Sequence, residues 1–360
     1  MPRGILAGLC LAGVAARVWY ARKSLHSTDM AAYQEVLALI RGGRDVYEGT
    51  PHYNYPPLWL WTIRCLGHAA LAMDVSFPAL VRSLLIGIDA GVAAVLFHLA
   101  RRVPGAVAPW TAAAAWLANP MVIWVCSVQA QFDGIVLLFL LLALAAGASP
   151  PSREEGPRWS AVLALAASIG FKQVTAFHPI LWFEGRRRLR ALVPWLLVAL
   201  TFAPYAAHAR AILDHVLLYR TVPGSYGLAE LVLWDARWAL PVSLAALAGT
   251  AAAAWALRGK ERCRSSLFLF LVLLVLAPGF GSQYLVWPLA VGALFGGPLL
   301  WVTTSAGLFW TLAVNRWISV SGAAQFGGQI LWLCLILWGV REARALNLFA
   351  QSPRAGGNDA

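Results

Sequence analysis

Long apolar runs separated by short, basic connections dominate this chain. A helix needs about 20 apolar residues to cross the hydrocarbon core of a bilayer. By that measure spans fall near 4–20, 79–100, 105–126, 132–148, 190–207, 238–257, 265–280, 283–297, 298–314 and 323–340. The stretch 159–185 reads either as one long span or as two short helices broken around Phe171–Lys172, so eleven or twelve helices are expected. The pattern predicts an all-α polytopic membrane protein, with one transmembrane unit over 1–345 and a short cytoplasmic tail over 346–360.

Positive charge sets the orientation. Arg101–Arg102, Arg153/Arg158, Arg186–Arg188/Arg190, Arg258/Lys260/Arg262/Arg264 and Arg341/Arg344 all lie in connections. If Met1 is cytoplasmic and 159–185 crosses twice, every cluster falls on the cytoplasmic side, which favours twelve helices. Arg3 before an apolar run would suit a cleaved leader, but Trp19–Tyr20 form an interfacial belt that favours a retained span. Two external loops are then longer than the topology requires, at about 21–78 and 209–237.

Composition closes off other classes. Hydrophobic residues make up 60% and charged residues 12%, against about 25% charge in ordinary soluble domains. Mean hydropathy is +0.67. The net charge of +12 fits basic loops lying on anionic lipid, not a nucleic-acid surface. Five scattered cysteines without a C-x-x-C pair read as small buried hydrophobes. No glycine-rich nucleotide loop is present, and neither a cofactor nor a metal is expected.

The first external loop opens Ser27-Thr28-Asp29 and turns helical. Tyr33, Val36, Leu37 and Ile40 share one face, and Gly42–Gly43 end the helix. Such an amphipathic helix would lie in the interface plane. Asp45-Val-Tyr47-Glu-Gly49 and Tyr53-Asn-Tyr55-Pro56-Pro57-Leu58 follow. Asp29 suits two roles, a helix N-cap or a carboxylate that takes a proton from a hydroxyl.

These residues resemble the opening of the GT-C glycosyltransferases, in particular the bacterial polyprenol-phosphate-mannose-dependent mannosyltransferases and glycosylphosphatidylinositol mannosyltransferase I. Asn119-Pro120 with Gln129-Ala-Gln131-Phe-Asp133 is similar to their second external loop, with Ala130 replacing a glycine. Gly170-Phe-Lys172-Gln173 resembles their mid-membrane lysine motif, and Ser282-Gln283-Tyr284-Leu-Val-Trp287 their late element. The second aspartate of the Asp-x-Asp that many relatives carry is absent, since Met30 and Ala31 follow Asp29.

The resemblance implies a GT-C-like fold and inverting transfer of a hexose, most plausibly mannose, from a polyprenyl-phosphate donor. The acceptor would be a glycolipid, a glycan or a protein. Asp29 would be the catalytic base, and Lys172 and Arg220 would hold the donor phosphate. Gln131, Asp133, Gln283, Tyr284 and Tyr55 would contact sugar or substrate.

Structural roles compete with these assignments. Lys172 could pair with a carboxylate, and Arg220 could bind lipid headgroups. Asp89, seven residues after Arg82 on one face, reads as a structural partner inside the bundle. His208 and His215 make a poor metal pair. Two other functions also fit the pattern, a lipid or sugar transporter or flippase and a noncatalytic GT-C-like membrane subunit. Alanine and arginine richness suggests a bacterium of high genomic GC content, hence a bacterial cytoplasmic membrane, and the loop topology puts the site on its outer face.

Overall fold

The computed structural model describes residues 1–360 other than 24–26, 148–156, 187, 218–225, 228–238, 280, 316 and 349–360. Every regular element among the described residues is helical. Arg220, Arg153, most of the second external loop and the end of the tail lie outside the described residues.

Among the described residues, three helices are long and apolar enough to cross a bilayer alone: α1 (Arg3–Lys23), Phe77–Ala100 and Ala323–Ala345. Two bent pairs among the described residues qualify as broken spans, Pro109–Leu117 with Pro120–Val128 at 45° and Arg188–Thr201 with Ala203–Val216 at 63°. Shorter apolar helices cover Asp133–Gly147, Trp159–Phe171, Leu240–Ala256 and Pro298–Val314. The expected eleven or twelve full spans are therefore not matched one for one among the described residues. A hydropathy window does not register backbone breaks. Asn119 illustrates the point, because its side chain caps the next helix by accepting from Met121 and Val122 N–H, and so splits one apolar run.

In chain order, the elements that position the site are α2 (Thr28–Arg41), α3 (Val46–Gly49), α4 (Pro57–Ala72), α5 (Phe77–Ala100), α6 (Pro109–Leu117), α7 (Pro120–Ile123), α8 (Asp133–Gly147) and α9 (Trp159–Phe171). Helix α2 buries Met30, Tyr33, Val36, Leu37 and Leu39. Gly43 takes a left-handed φ of 66° behind it, as the glycine pair predicted. Helix α4 closes over α2, and Gly67 leaves the space that Leu37 fills.

The two ends of the bundle differ in chemistry. At one end Arg262 donates to the Gly147 carbonyl at 2.9 Å and to Glu184 at 2.8 Å. There too Arg264 pairs with Glu342 at 2.8 Å, and Val107 N–H meets the Leu294 carbonyl at 2.8 Å. The aromatic and amide residues of the first loop gather at the other end. The stretch 159–185 starts and finishes at the arginine-rich end, where Arg190 lies over the Trp159 ring and Glu184 meets Arg262. Its middle, Lys172, reaches toward the first loop. The chain therefore runs in as α9 and comes back through short turns to the end it left.

Asp89 does have a structural partner, though it comes from the first helix. Arg17, completely buried in α1, donates to Asp89 at 2.8 Å and to the carbonyls of Leu117, Gly13 and Trp116. Gly13 permits this approach, because a Cβ there would collide with the Leu117 carbonyl. Arg82 turns away and donates to the Ser127 carbonyl. An ion in a low-dielectric interior is tolerable only with its partner in place. Asp89→Leu should therefore destabilise the fold by about 3–5 kcal/mol. Arg17→Met/Asp89→Leu should recover most of that loss, read as unfolding midpoints in detergent.

Candidate functional site

Ser27, not Asp29, caps helix α2. The Ser27 hydroxyl accepts from Met30 N–H at 3.1 Å and donates to the Gln129 carbonyl at 2.7 Å. Asp29 is thus released from the capping role that its position allowed. Its carboxylate sits in the first turn of α2, where the helix dipole favours a negative charge. There Oδ1 accepts a 2.6 Å bond from the Gln131 amide.

That bond belongs to a wider clasp between α2 and the turn Gln129-Ala130-Gln131. Tyr33 donates its hydroxyl to the Ala130 carbonyl at 3.3 Å. Gln129 donates to the Ser282 hydroxyl at 3.3 Å, tying in the late motif. Ala130 is fully buried and takes φ of 62°. A left-handed backbone costs an L-residue about 1–2 kcal/mol, which gives a physical reason for glycine at this position in the similar motif. The turn keeps its strained shape because the bonds around it determine it.

Behind the turn lies a buried ion pair. Lys172 donates to both carboxylate oxygens of Asp133, at 2.9 and 3.0 Å. Trp287 adds an indole N–H to Asp133 Oδ1 at 2.6 Å. The rings of Tyr55, Phe132, Tyr284 and Trp287 surround the ammonium, with centroids 5.2–5.6 Å away. Backbone geometry explains how the lysine gets there. Helix α9 stops at Phe171, and Lys172 is extended at φ −156° and ψ 129°. Gln173 then anchors the returning chain through bonds to the carbonyls of Asn54 and Val216.

A cavity of about 400 Å³ opens over this floor, lined by Asp29, Glu35, His52, Asn54, Tyr55, Gln131, Gln283 and Tyr284 among others. Five of the expected contact residues therefore face one space or its wall: Asp29, Gln131, Gln283, Tyr284 and Tyr55. Asp133 and Lys172 stand behind that wall, engaged with each other. The lysine reading that matches this geometry is the paired one. Arg220 lies outside the described residues.

Three polar lining residues were not singled out in the sequence, Glu35, His52 and Asn54. Glu35 and His52 pair at 2.9 Å on the rim, and only the folding of α2 against the loop after α3 brings them together. Asn54 Oδ1 and Gln131 Oε1 are buried acceptors without a hydrogen-bond partner among the described residues. His208 pairs with Glu48 at 2.8 Å and lies 3.5 Å from Asp45, a link between the two external segments. Among the described residues no group of three or more His, Cys, Asp or Glu side chains is set to hold a metal ion.

Burial raises the Asp29 carboxyl to about 6, although the Lys172 ammonium and the Gln131 bond pull it down and Asp133 pushes it up. A group of this kind changes protonation near neutral pH, where a base is useful.

The family described as GPI transamidase subunit PIG-U matches residues 18–210, from the end of α1 through the first loop, the strained turn and Lys172. The chain belongs to the PIG-U family. No curated protein matches it. The PIG-U match covers Asp29, Tyr55, Gln131, Asp133 and Lys172, and stops before Arg220 and the late motif. It extends the expected GT-C-like membrane character to a family described as a transamidase subunit, not as a mannosyltransferase.

Two expectations follow from this geometry. Ala130→Gly should remove the left-handed strain and stabilise the protein by roughly 1 kcal/mol, less the extra chain entropy that glycine brings. A rise in unfolding midpoint would show it. The second concerns pH. The folded state holds the Asp29 proton to higher pH than an unfolded chain, whose carboxyl titrates at about 3.9. Asp29 therefore favours the fold most below about pH 4, and that contribution is lost as pH rises through about 6. The melting temperature should fall over this window in wild type, and Asp29→Asn should flatten the fall.

Proposed function

We propose that this PIG-U family member is a membrane subunit that holds the saccharide of a lipid-linked glycan in the Asp29–Tyr284 cavity. One observation carries the reading. The cavity combines a carboxylate at about 6 with exposed edges of tyrosine and with amide acceptors that lack partners. Sugar rings offer hydroxyl donors to such acceptors and flat C–H faces to aromatic rings. A cavity at the membrane boundary suits a saccharide whose lipid stays in the bilayer. The family's description as a subunit, together with a lysine neutralised by Asp133, supports holding over chemistry. In this reading the membrane would be a bacterial cytoplasmic membrane with the cavity facing outward.

The state of Asp29 favours a second reading, hexosyl transfer from a polyprenyl phosphate. An acceptor hydroxyl would attack the anomeric carbon from the face opposite the phosphate. The new C–O bond would form as the bond from that carbon to the phosphate oxygen breaks, and the electron pair would leave with the phosphate. Asp29 Oδ2, the oxygen that does not accept from Gln131, would take the hydroxyl proton. Transport of a glycolipid has no comparable support in the cavity.

The test uses the full chain in nanodiscs, titrated with polyprenyl-phosphate mannose and with bare polyprenyl phosphate. The mannosylated lipid should bind more tightly than the bare one. Asp29→Asn should erase most of that difference, about tenfold for one charge-assisted hydrogen bond. Equal binding of the two lipids would overturn the saccharide reading. If wild type, given an acceptor extract, releases free polyprenyl phosphate and Asp29→Asn does not, the chain is a transferase and the second reading replaces the first.

A further inference from the structure

A second cavity lies at the opposite, arginine-rich end, between the start of α1, the end of α5 and the start of α6. It measures about 480 Å³, and its lining includes Arg3, Leu6, Phe97, Arg101, Trp110 and Thr111. That is the size of a small-ligand site, not of a packing defect. Its two arginines come from different segments, Arg3 from α1 and Arg101 from just past the end of α5, so the approach of both is needed to bring them together.

The charge around this cavity is one-sided. Among the described residues no aspartate or glutamate lines it. Two arginines at this end are held by carboxylates, Arg262 by Glu184 and Arg264 by Glu342. Arg3 and Arg101 have no carboxylate partner among the described residues, and both are exposed. Guanidinium groups match the oxygens of a phosphate in two-point geometry. The rest of the lining is apolar or amphipathic. The Phe97 and Trp110 rings meet edge to face at 5.2 Å, and Trp110 is 37% exposed. Indole rings of this kind sit at headgroup depth in a bilayer.

We propose that this cavity binds the headgroup of an anionic phospholipid. Arg3 and Arg101 hold the phosphodiester oxygens, while Leu6 and Phe97 receive the upper acyl chain. A soluble phosphate shares the anionic half of this chemistry, but it has no use for the apolar wall. A zwitterionic lipid shares both the phosphodiester and the acyl chains, but it brings its own cation against two arginines. The site lies at the far end from Asp29 and does not rest on the reading of the first cavity.

Native mass spectrometry of the full chain, released from detergent with added phosphatidylglycerol, phosphatidylcholine or inorganic phosphate, tests the proposal. Phosphatidylglycerol should remain bound at collision energies that strip phosphatidylcholine. Arg3→Gln/Arg101→Gln should lower its occupancy about tenfold with the melting temperature unchanged. Arg258→Gln, at an arginine stacked on Trp255 elsewhere on the chain, should leave occupancy as in wild type. Equal retention of the two lipids would overturn the proposal, as would an equal loss in Arg258→Gln. Inorganic phosphate that competes the lipid off at comparable concentration would overturn the lipid assignment.

Discussion

The ammonium of Lys172 has to be neutralised inside the bundle, and the site end of the protein is arranged around that need. An uncompensated charge in a low-dielectric interior costs several kcal/mol, so Asp133 meets it with both oxygens. The pairing dictates more than two side chains. Helix α9 must stop at Phe171 for the lysine to extend across, and α8 must begin at Asp133. Trp287 must come close enough to saturate the carboxylate. Four aromatic rings then seal the pair from the cavity. Segments far apart in sequence are fixed to one another by a single electrostatic requirement.

The strained turn passes that order on to the cavity. Gln131 lies two residues before Asp133, so the ion pair fixes one end of the turn, and the Ser27 and Tyr33 bonds fix the other. Between these anchors Ala130 is held in a conformation it would not choose. The result is a preset position for the Gln131 amide, and through it for the Asp29 carboxylate. The same proximity sets the charge balance at Asp29, where Lys172 and Asp133 act in opposite senses and burial outweighs both. The ion pair thus shapes the cavity without forming part of its lining.

Much of this was legible in the sequence, and the rest was not for identifiable reasons. The amphipathic face of α2 and its glycine stop follow from spacing alone. So does the basic end of the bundle, because lipid reads loop charge directly. The gathering of Asp29, Gln131, Gln283 and Tyr284 followed from the order of short motifs. What spacing could not give was partner choice. Asp89 and Arg82 share a face, yet Asp89 pairs with Arg17, whose approach depends on the missing side chain of Gly13. Asp29 looked like a cap because it stands beside a serine that does the capping. The break at Asn119 is a hydrogen-bonding event that an apolar average passes over.

Position 130 bears on how far the cavity has been kept for chemistry. A glycine there would take the left-handed turn without strain, whereas alanine needs the Ser27, Tyr33 and Gln131 bonds to hold it. Strain that persists against an easy alternative is expected where a fixed geometry has a use. The raised carboxyl of Asp29 argues the same way, because an acid held at about 6 destabilises the fold once it ionises at neutral pH. Two local penalties therefore converge on one wall of one cavity. A subunit that only needed to fill space in a complex would gain from losing both. The proposed holding of a saccharide in a defined pose, with or without transfer, would give each of them a purpose.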